Sequence, residues 1–264
     1  MSLEVLDGGR SETYALVGRD ESQSCSDCAV RRWAICGALN VSELGIFERF
    51  KSGDRIVRAG TEFITEDEPA DEFYTVLEGW TMLYQWLADG ERQVLDFALQ
   101  GTLIGFETQP GAPNRISAQA LTNSRLCVLP RAGLIELLRA HPELAIRLAG
   151  ISRTREITLA QHLANVGQRR ARARIANLLM ELIVRVRATS DPKLRGSIQL
   201  PVSQEIIGDA LGLTSVHVNR MLRELREDGI VAIKNGTLKV LDAAKLADEA
   251  DLDSRHLTSP VAVN

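Results

Sequence analysis

Short apolar segments that alternate with polar positions fill the middle of the chain. They run from Arg55 to Leu129 and are separated by Gly, Pro, Asp and Asn, including the turn-like stretches ADGE at 88–91 and PGAPN at 110–114. Alternation with a period of two is typical of strands, and many short strands favour an antiparallel barrel or jelly roll. The pattern predicts a compact β unit with strands in DRIVRAG, EFITE, DEFYTVLEG, WTMLYQWL, ERQVLDFAL, RISAQAL and SRLCVL.

Helical periodicity replaces the strand pattern after Pro130 and continues through residues 131–187. Within it, five apolar positions recur at spacings close to a helical turn: Leu148, Ile151, Leu159, Leu163 and Val166. A helix of this length extends beyond a small β unit, so we expect the stripe to face the same helix of a second subunit. The alternative is packing on its own β unit. A shorter helix, capped by Ser42, is predicted at 42–50.

The last part of the chain has the pattern of a helix-turn-helix. Residues 203–231 contain a first amphipathic helix, a turn at Gly212 and a second helix that begins at Thr214 or Ser215. The stretch VAIKNGTLKVLD then predicts a hairpin, a wing, with Asn235 and Gly236 in its turn. Residues able to reach base edges or phosphates are Ser203, Gln204, Thr214, Ser215, Val216, His217, Asn219 and Arg220. The alternative is an ordinary helical hairpin with solvated charges.

These patterns divide the chain into five parts. We expect a disordered N-terminus (1–24), a cysteine segment with the β unit (25–130), a helical segment (131–187), a winged helix-turn-helix (195–250) and a tail (251–264). The Pro-, Ser- and Gly-rich stretch at 188–197 is interpreted as the boundary before the last domain. The net charge is −4, but nine arginines against two glutamates lie between Arg147 and Arg187.

Three of the four cysteines lie close together near the N-terminus: Cys25, Cys28 and Cys36. The fourth, Cys127, follows in SRLCVLP. The chain has neither a signal-peptide pattern nor an apolar run long enough for a membrane span, so we interpret it as cytoplasmic, where clustered thiols bind metal or take part in redox chemistry. Zinc binding, a reversible disulfide between Cys25 and Cys28, and inert buried thiols all remain open at this point.

The order of these parts resembles the CRP/FNR superfamily of dimeric bacterial transcription regulators. The resemblance is carried by AGTEFITEDEPADEFYTVLEGWTMLY (59–84), GTLIGFE (101–107) and LGLTSVHVNRML (211–222). It implies an α+β chain: an N-terminal antiparallel β-roll (jelly roll, cyclic-nucleotide-binding-like) sensor domain, a long dimerisation helix and a C-terminal winged helix-turn-helix. It also implies a homodimer with no enzymatic activity, which binds a palindromic operator in double-stranded DNA and contacts RNA polymerase.

Within that superfamily, the cysteines resemble those of the FNR branch, which senses oxygen through a four-iron, four-sulfur cluster. The resemblance implies that Cys25, Cys28, Cys36 and Cys127 hold this cluster. The seven residues between Cys28 and Cys36 make a longer spacing than in the enteric protein that names the branch, but the spacing looks like that of regulators in α-proteobacteria. The implied function is oxygen or redox sensing that controls dimerisation and operator binding; gating by thiol oxidation or another small ligand is the alternative.

Two further motifs refine this expectation. Cyclic-nucleotide sensors carry a Gly-Glu and an Arg-Ser pair, but here Phe106 splits the first pair and Ile116 the second, so nucleotide binding is disfavoured. FNR-type proteins read their half-site with Glu-x-x-Ser-Arg, and the aligned residues here are Val216, Asn219 and Arg220. We expect an operator that keeps the guanine read by Arg220 and differs where glutamate would accept from cytosine.

Overall fold

The structure is a computed structural model that describes the backbone of residues 14–17 and all of residues 22–69, 71–107, 109, 111–189 and 197–251. Most of the predicted disordered N-terminus and all but the first residue of the predicted tail lie outside these residues. One part of the expected disorder is wrong, because Tyr14–Val17 forms a strand that pairs with Gly53–Val57. Within the described residues, no helix is long and apolar enough to cross a membrane.

The predicted β unit is confirmed as an antiparallel β-roll. All seven predicted segments contain strands, and two further strands, β1 and β7, join them. The strands are β1 (Tyr14–Val17), β2 (Gly53–Val57), β3 (Glu62–Ile64), β4 (Glu72–Glu78), β5 (Thr81–Trp86), β6 (Arg92–Ala98), β7 (Leu103–Ile104), β8 (Ser117–Ala120) and β9 (Ser124–Pro130).

These strands form two sheets that share a core. One sheet has the order β1-β2-β9-β4-β7 and the other β3-β8-β5-β6. Apolar side chains from both sheets, including Val76, Leu83 and Leu126, are fully buried in one cluster because alternate residues of each strand point inward. In the first sheet Cys127 of β9 lies opposite both Asp54 of β2 and Thr75 of β4, so it occupies a central strand.

Along the chain, helices lie between β1 and β2 and again after β9. A 3-10 helix (Ile35–Ala38) and α1 (Leu44–Phe50) precede β2, and α2 (Leu134–Ala140), α3 (Pro142–Gln168) and α4 (Ala171–Thr189) follow β9. The expected cap of the short helix is wrong: Glu43 holds the cap position, and the Ser42 hydroxyl donates to Asn40 Oδ1 instead. The helical stretch is also interrupted twice, at His141 before Pro142 and at 169–170.

The C-terminal unit contains α4 as well as the predicted winged helix-turn-helix. Its other elements are β10 (Ser197–Gln199), α5 (Gln204–Leu211), α6 (Ser215–Glu227), β11 (Val231–Lys234), β12 (Thr237–Val240) and α7 (Ala243–Glu249). Leu178 and Leu182 of α4 share a buried cluster with Val218 and Leu222 of α6. The helix packing of the C-terminal unit therefore begins with α4, before the stretch at 188–197 that we interpreted as the boundary. The same buried cluster continues into Met82 and Phe97 of the β-roll.

Polar contacts dock this C-terminal unit against strand β6. Arg92 Nη2 lies 2.6 Å from Asp209 Oδ2, and Arg185 of α4 lies 2.8 Å from Asp96 Oδ1. Behind them, His162 Nε2 of α3 is 2.6 Å from Glu181 Oε2 of α4. Burial alone would lower the pKa of His162, but the hydrogen bond and charge of Glu181 outweigh burial and raise it to about 9.

We expect this pair to make stability depend on pH. A histidine whose pKa rises from its ordinary value of 6.5 to about 9 on folding contributes stability that is complete below pH 6.5 and is lost as the pH rises through about 9. Urea unfolding should therefore show roughly 3 kcal/mol less stability at the alkaline end of this range. A His162→Gln variant should lack the slope, and an unchanged slope in that variant would contradict the assignment.

Candidate sensor site and nucleic-acid interface

The four cysteines converge on one buried cavity, the thiol cavity. Three belong to residues 22–39, which we call the cysteine segment, and the fourth comes from β9. Cys25, Cys36 and Cys127 are buried, Cys28 is half-buried, and none forms a disulfide. The cavity measures about 20 Å³ and is otherwise lined mainly by apolar side chains: Val30, Ala34, Phe47 and Leu77.

Hydrogen bonds to buried charges hold the cysteine segment on the β-roll. The Gln23 amide donates to Asp54 Oδ2 over 3.0 Å, and Lys51 Nζ donates to the Gln23 carbonyl over 2.5 Å. Asp54 is fully buried but compensated, since Lys51 lies 3.5 Å and Arg125 2.6 Å from its oxygens. Two cations thus compensate the buried carboxylate, and its hydrogen bond to Gln23 joins the start of the segment to β2.

The surroundings of the thiols keep them protonated. Burial raises the pKa of Cys25 to about 11 and that of Cys36 to about 12, and it also raises the pKa of Cys28 and Cys127. Neighbouring thiols add to this because each would repel the thiolate of another, while Lys51 acts in the opposite direction. A protonated, buried thiol is a poor nucleophile, so this site differs from that of a reactive redox cysteine.

The sulfur positions also bear on the choice between zinc and a larger metal group. No three of the four Sγ atoms, all within the described residues, lie within 4.8 Å of one another. Zinc with four thiolates at about 2.3 Å in a tetrahedron requires much shorter sulfur–sulfur distances. A multi-iron group binds each sulfur to a different iron and spaces them more widely. In the described arrangement the four sulfurs are therefore not already placed around a single zinc ion.

The long helix α3 is in direct contact with the cysteine segment. Arg147 Nη2 donates to the Arg32 carbonyl over 2.6 Å. Leu148 is buried in the same apolar cluster as the thiols, and Ile151 packs against that cluster. Any displacement of the cysteine segment therefore acts on the N-terminal half of α3.

This packing divides the predicted dimerisation stripe. Leu148 and Ile151 are committed to their own subunit, and Val166 is half-buried near the α5–α6 turn, with its Cγ1 about 4.0 Å from the position of a Cβ on Gly212. Only Leu159 and Leu163 of the stripe are exposed, at 42% and 74%. The five residues thus share no common exposed face. Spacing alone does not distinguish an apolar stripe that packs on its own β-roll from one that pairs with a second subunit.

A different face of α3 is free along the whole helix, and we call it the open face. Its positions alternate at spacings of four and three, which is the heptad pattern of paired helices: Ile146, Gly150, Arg153, Ile157, Ala160, Ala164 and Gly167. Ile146 is 74% and Ile157 44% exposed. A Cβ on Gly150 or Gly167 would meet nothing within 4 Å. Small residues at these positions allow a second helix to approach closely.

The helix-turn-helix is built as predicted. The Ser203 hydroxyl accepts from the Ile206 amide and caps α5, and Thr214 caps α6 by accepting from the His217 amide. Gly212 adopts the left-handed conformation at φ 62° that the turn requires. Four apolar residues of α6 are buried on its inner side: Val218, Met221, Leu222 and Leu225. The predicted wing turn is also present, with Asn235 at φ 50° and Gly236 at φ 70°.

The outward side of α6 forms a shallow groove with the start of α5. It is lined by Gln204, Ser215, Val216, Asn219, Arg220 and Arg223. Asn219 Nδ2 donates to Gln204 Oε1 over 2.9 Å, and Arg220 Nη2 lies 2.8 Å from His217 Nε2. Of the other predicted residues, Ser203 and Thr214 serve as caps. Arg223 was missed, although it lies four residues after Asn219 and hence on the same helix face.

The loop that would hold a cyclic nucleotide is occupied by contacts within the protein. Arg131 Nη2 donates to the Gly105 carbonyl over 2.9 Å and to Asn114 Oδ1 over 3.1 Å. The Ser117 hydroxyl accepts from the Glu66 amide, and Arg115 is exposed. The Ser117 hydroxyl is therefore already engaged by a backbone amide, while Arg115 lies on the surface.

Comparisons with known proteins agree with this architecture. A family model described as a Crp-like helix-turn-helix domain matches residues 173–249, and one described as a cyclic nucleotide-binding domain matches residues 54–141. The nitrogen fixation regulation protein FixK of Bradyrhizobium diazoefficiens is 33% identical over 227 residues, which cover 84% of this chain and 92% of that protein. The chain belongs to the CRP/FNR superfamily of transcription regulators.

Two further members support the same assignment. The transcriptional activator protein FnrL of Cereibacter sphaeroides is 28% identical over 237 residues, or 87% of this chain and 93% of that protein. The solved structure of FixK2 from Bradyrhizobium japonicum has a TM-score of 0.68 at 27% identity and covers 76% of this chain and 98% of that chain. This CRP/FNR protein is therefore a DNA-binding transcription regulator, like its relatives, and not an enzyme.

We expect the DNA-binding unit of this regulator to depend on Gly208. A Cβ there would lie 2.4 Å from the Leu213 carbonyl oxygen, which is backbone and has little room to move. Gly208→Ala should lower the free energy of unfolding by about 2 kcal/mol and weaken operator binding. Gly45→Ala, in α1, is the matched control because the nearest atom is 3.6 Å away on a flexible arginine. Equal stability of the two variants would contradict the packing described.

Proposed function

We propose that this regulator senses oxygen or redox state through a four-iron, four-sulfur cluster held by Cys25, Cys28, Cys36 and Cys127. The observation that carries the proposal is the convergence on one buried cavity of the three thiols of the cysteine segment and a fourth, Cys127, that is distant in sequence. Thiolates are the ligands such clusters take, and the cysteine segment and β9 together supply the four that a four-iron cluster needs.

The residues of the chain suggest how loading would be transmitted. A bound cluster would supply oxygen-sensitive iron chemistry at the four sulfurs. The thiol cavity of about 20 Å³ has room for about one water molecule, so the cysteine segment has to move outward to admit four irons. Arg147 binds the backbone of that segment and carries its displacement to α3.

Dimerisation is proposed through the open face of α3. Ile146 and Ile157 supply exposed apolar contacts, and Gly150, Ala160 and Ala164 allow close approach. The dimer places two copies of α6 on a palindromic operator, with half-sites about 34 Å apart. RNA polymerase remains an expected partner of the bound dimer.

The first test removes one sulfur ligand. Anaerobic reconstitution of the unaltered chain should give about four irons and four sulfides per chain, with colour that air bleaches. Cys127→Ser should lose most of this iron, because the remaining three sulfurs leave one iron without a protein ligand. Thr75→Val, which changes a neighbour lining the same cavity, should keep it. Undiminished iron in Cys127→Ser would sink the proposal.

The second test locates the dimer contact. In the anaerobic, iron-loaded protein, Ile157→Glu should raise the dimer dissociation constant at least about tenfold, since it places a charge in the apolar seam. Leu163→Glu is the matched control, because Leu163 is even more exposed but lies off the open face. Sedimentation equilibrium measures both. A larger effect of the Leu163 change would assign the contact to the other side of α3.

The third test concerns operator reading. Replacing Arg220 by Met should reduce discrimination at one guanine of each half-site by about 1–3 kcal/mol, since the bidentate contact is lost. Arg226→Met, near the C-terminal end of α6 and away from the base-reading end, is the control. Selection from random DNA with the unaltered protein should return a half-site that differs from the FNR consensus at the position aligned with Val216. Recovery of the unaltered consensus would contradict this reading.

A further inference from the structure

A second and larger cavity, the interdomain cavity, lies where the cysteine segment, the β-roll, α3 and α4 meet. It measures about 180 Å³, and none of its residues lines the thiol cavity or the groove on α6. Its walls come from all four of these parts: Trp33, Gly101, Ile151, Thr158, Val184 and Ala188. A cavity of about 150 Å³ can hold benzene, so this one admits a ring or a short branched chain.

Most of the wall is apolar. Leu99 and Leu103 from the β-roll, Ile151 from α3 and the Trp33 ring contribute carbon surface. The Trp33 ring is held in place by the Arg32 guanidinium, which stacks over it at 3.9 Å from the ring centroid. Burying a ligand's apolar surface here gains roughly 25 cal/mol per Å².

The polar end of the cavity carries one positive charge without a matching carboxylate. Arg185 is paired with Asp96 over 2.8 Å, and His162 with Glu181 over 2.6 Å. Arg155 also lines the cavity, and it donates to the Leu103 carbonyl over 3.3 Å. Within the described residues it makes no ion pair shorter than 4 Å. Among the residues that line the cavity, Asp96 is the one carboxylate and Arg155 and Arg185 are the two cations. Arg185 holds Asp96 in the close ion pair, so the Arg155 guanidinium has no carboxylate of its own within 4 Å.

We propose that the interdomain cavity is an effector site for a small monocarboxylic acid with an apolar body, whose carboxylate pairs with Arg155. An arginine fork matches a carboxylate, and a pair shielded from water is stronger than one on the surface. Such a ligand touches the cysteine segment, α3 and α4 together. It therefore favours the arrangement in which the C-terminal unit is docked on the β-roll. The site needs no iron and is separate from the proposed cluster.

The test compares an acid with its neutral isostere. Calorimetric titration of the full chain, prepared in air without iron, should show cyclohexanecarboxylate binding at least about tenfold more tightly than cyclohexanecarboxamide. Arg155→Gln should abolish this preference while leaving weak binding of both compounds. Because the protein is iron-free, failure here leaves the cluster proposal standing, and failure of the cluster experiment leaves this one standing.

A cavity-filling variant locates the site. Ala188→Trp should abolish binding of the acid, whereas Ala244→Trp, at an exposed position on α7, should leave it unchanged. Equal affinity for acid and amide, no measurable binding of the acid, or undiminished binding in a folded Ala188→Trp variant would each overturn the proposal. The acid–amide comparison on the unaltered chain decides the matter even when Ala188→Trp does not fold.

Discussion

The burial of the cysteine segment against β9 and α3 is the contact on which the other features of this regulator depend. It brings Cys127 to the other three thiols, and it holds Leu148 in the same apolar cluster. Buried polar groups secure this contact, since Asp54 binds the segment through the Gln23 amide and is itself balanced by Lys51 and Arg125. The thiols and the N-terminal half of α3 therefore share one packed region, on which the proposed signalling rests.

The second constraint is the docking of the C-terminal unit on β6. The Arg185–Asp96 pair joins α4 to the β-roll, and the His162–Glu181 pair joins α3 to α4. Partly buried pairs of this kind depend on geometry, because separating the partners leaves charges without compensation. Helix α6 keeps its outward face exposed in this arrangement. Both the proposed cluster and the interdomain cavity lie where they bear on α3, so two signals converge on one helix.

Local patterns were enough to predict much of this architecture. Alternation predicted the strands of the β-roll, and turn chemistry at Gly212 and Asn235–Gly236 predicted the helix-turn-helix and its wing. Strand β7 was not predicted because a strand of two residues is too short to show an alternating pattern. The role of α3 escaped for a different reason: an apolar stripe is the same whether it packs on its own subunit or on a second one. The open face was not predicted because its small residues, such as Gly150 and Ala160, do not form a strong hydrophobic pattern.

Hydrogen–deuterium exchange along α3 tests the central claim most directly, by comparing anaerobic iron-loaded protein with the iron-free chain. If the cysteine segment controls this helix, amides in residues 142–168 exchange more slowly in the loaded protein, because its open face is then paired in the dimer. Exposure to air should reverse the protection. Identical exchange of α3 in the loaded and iron-free states would contradict the account, even with iron bound at the cysteines.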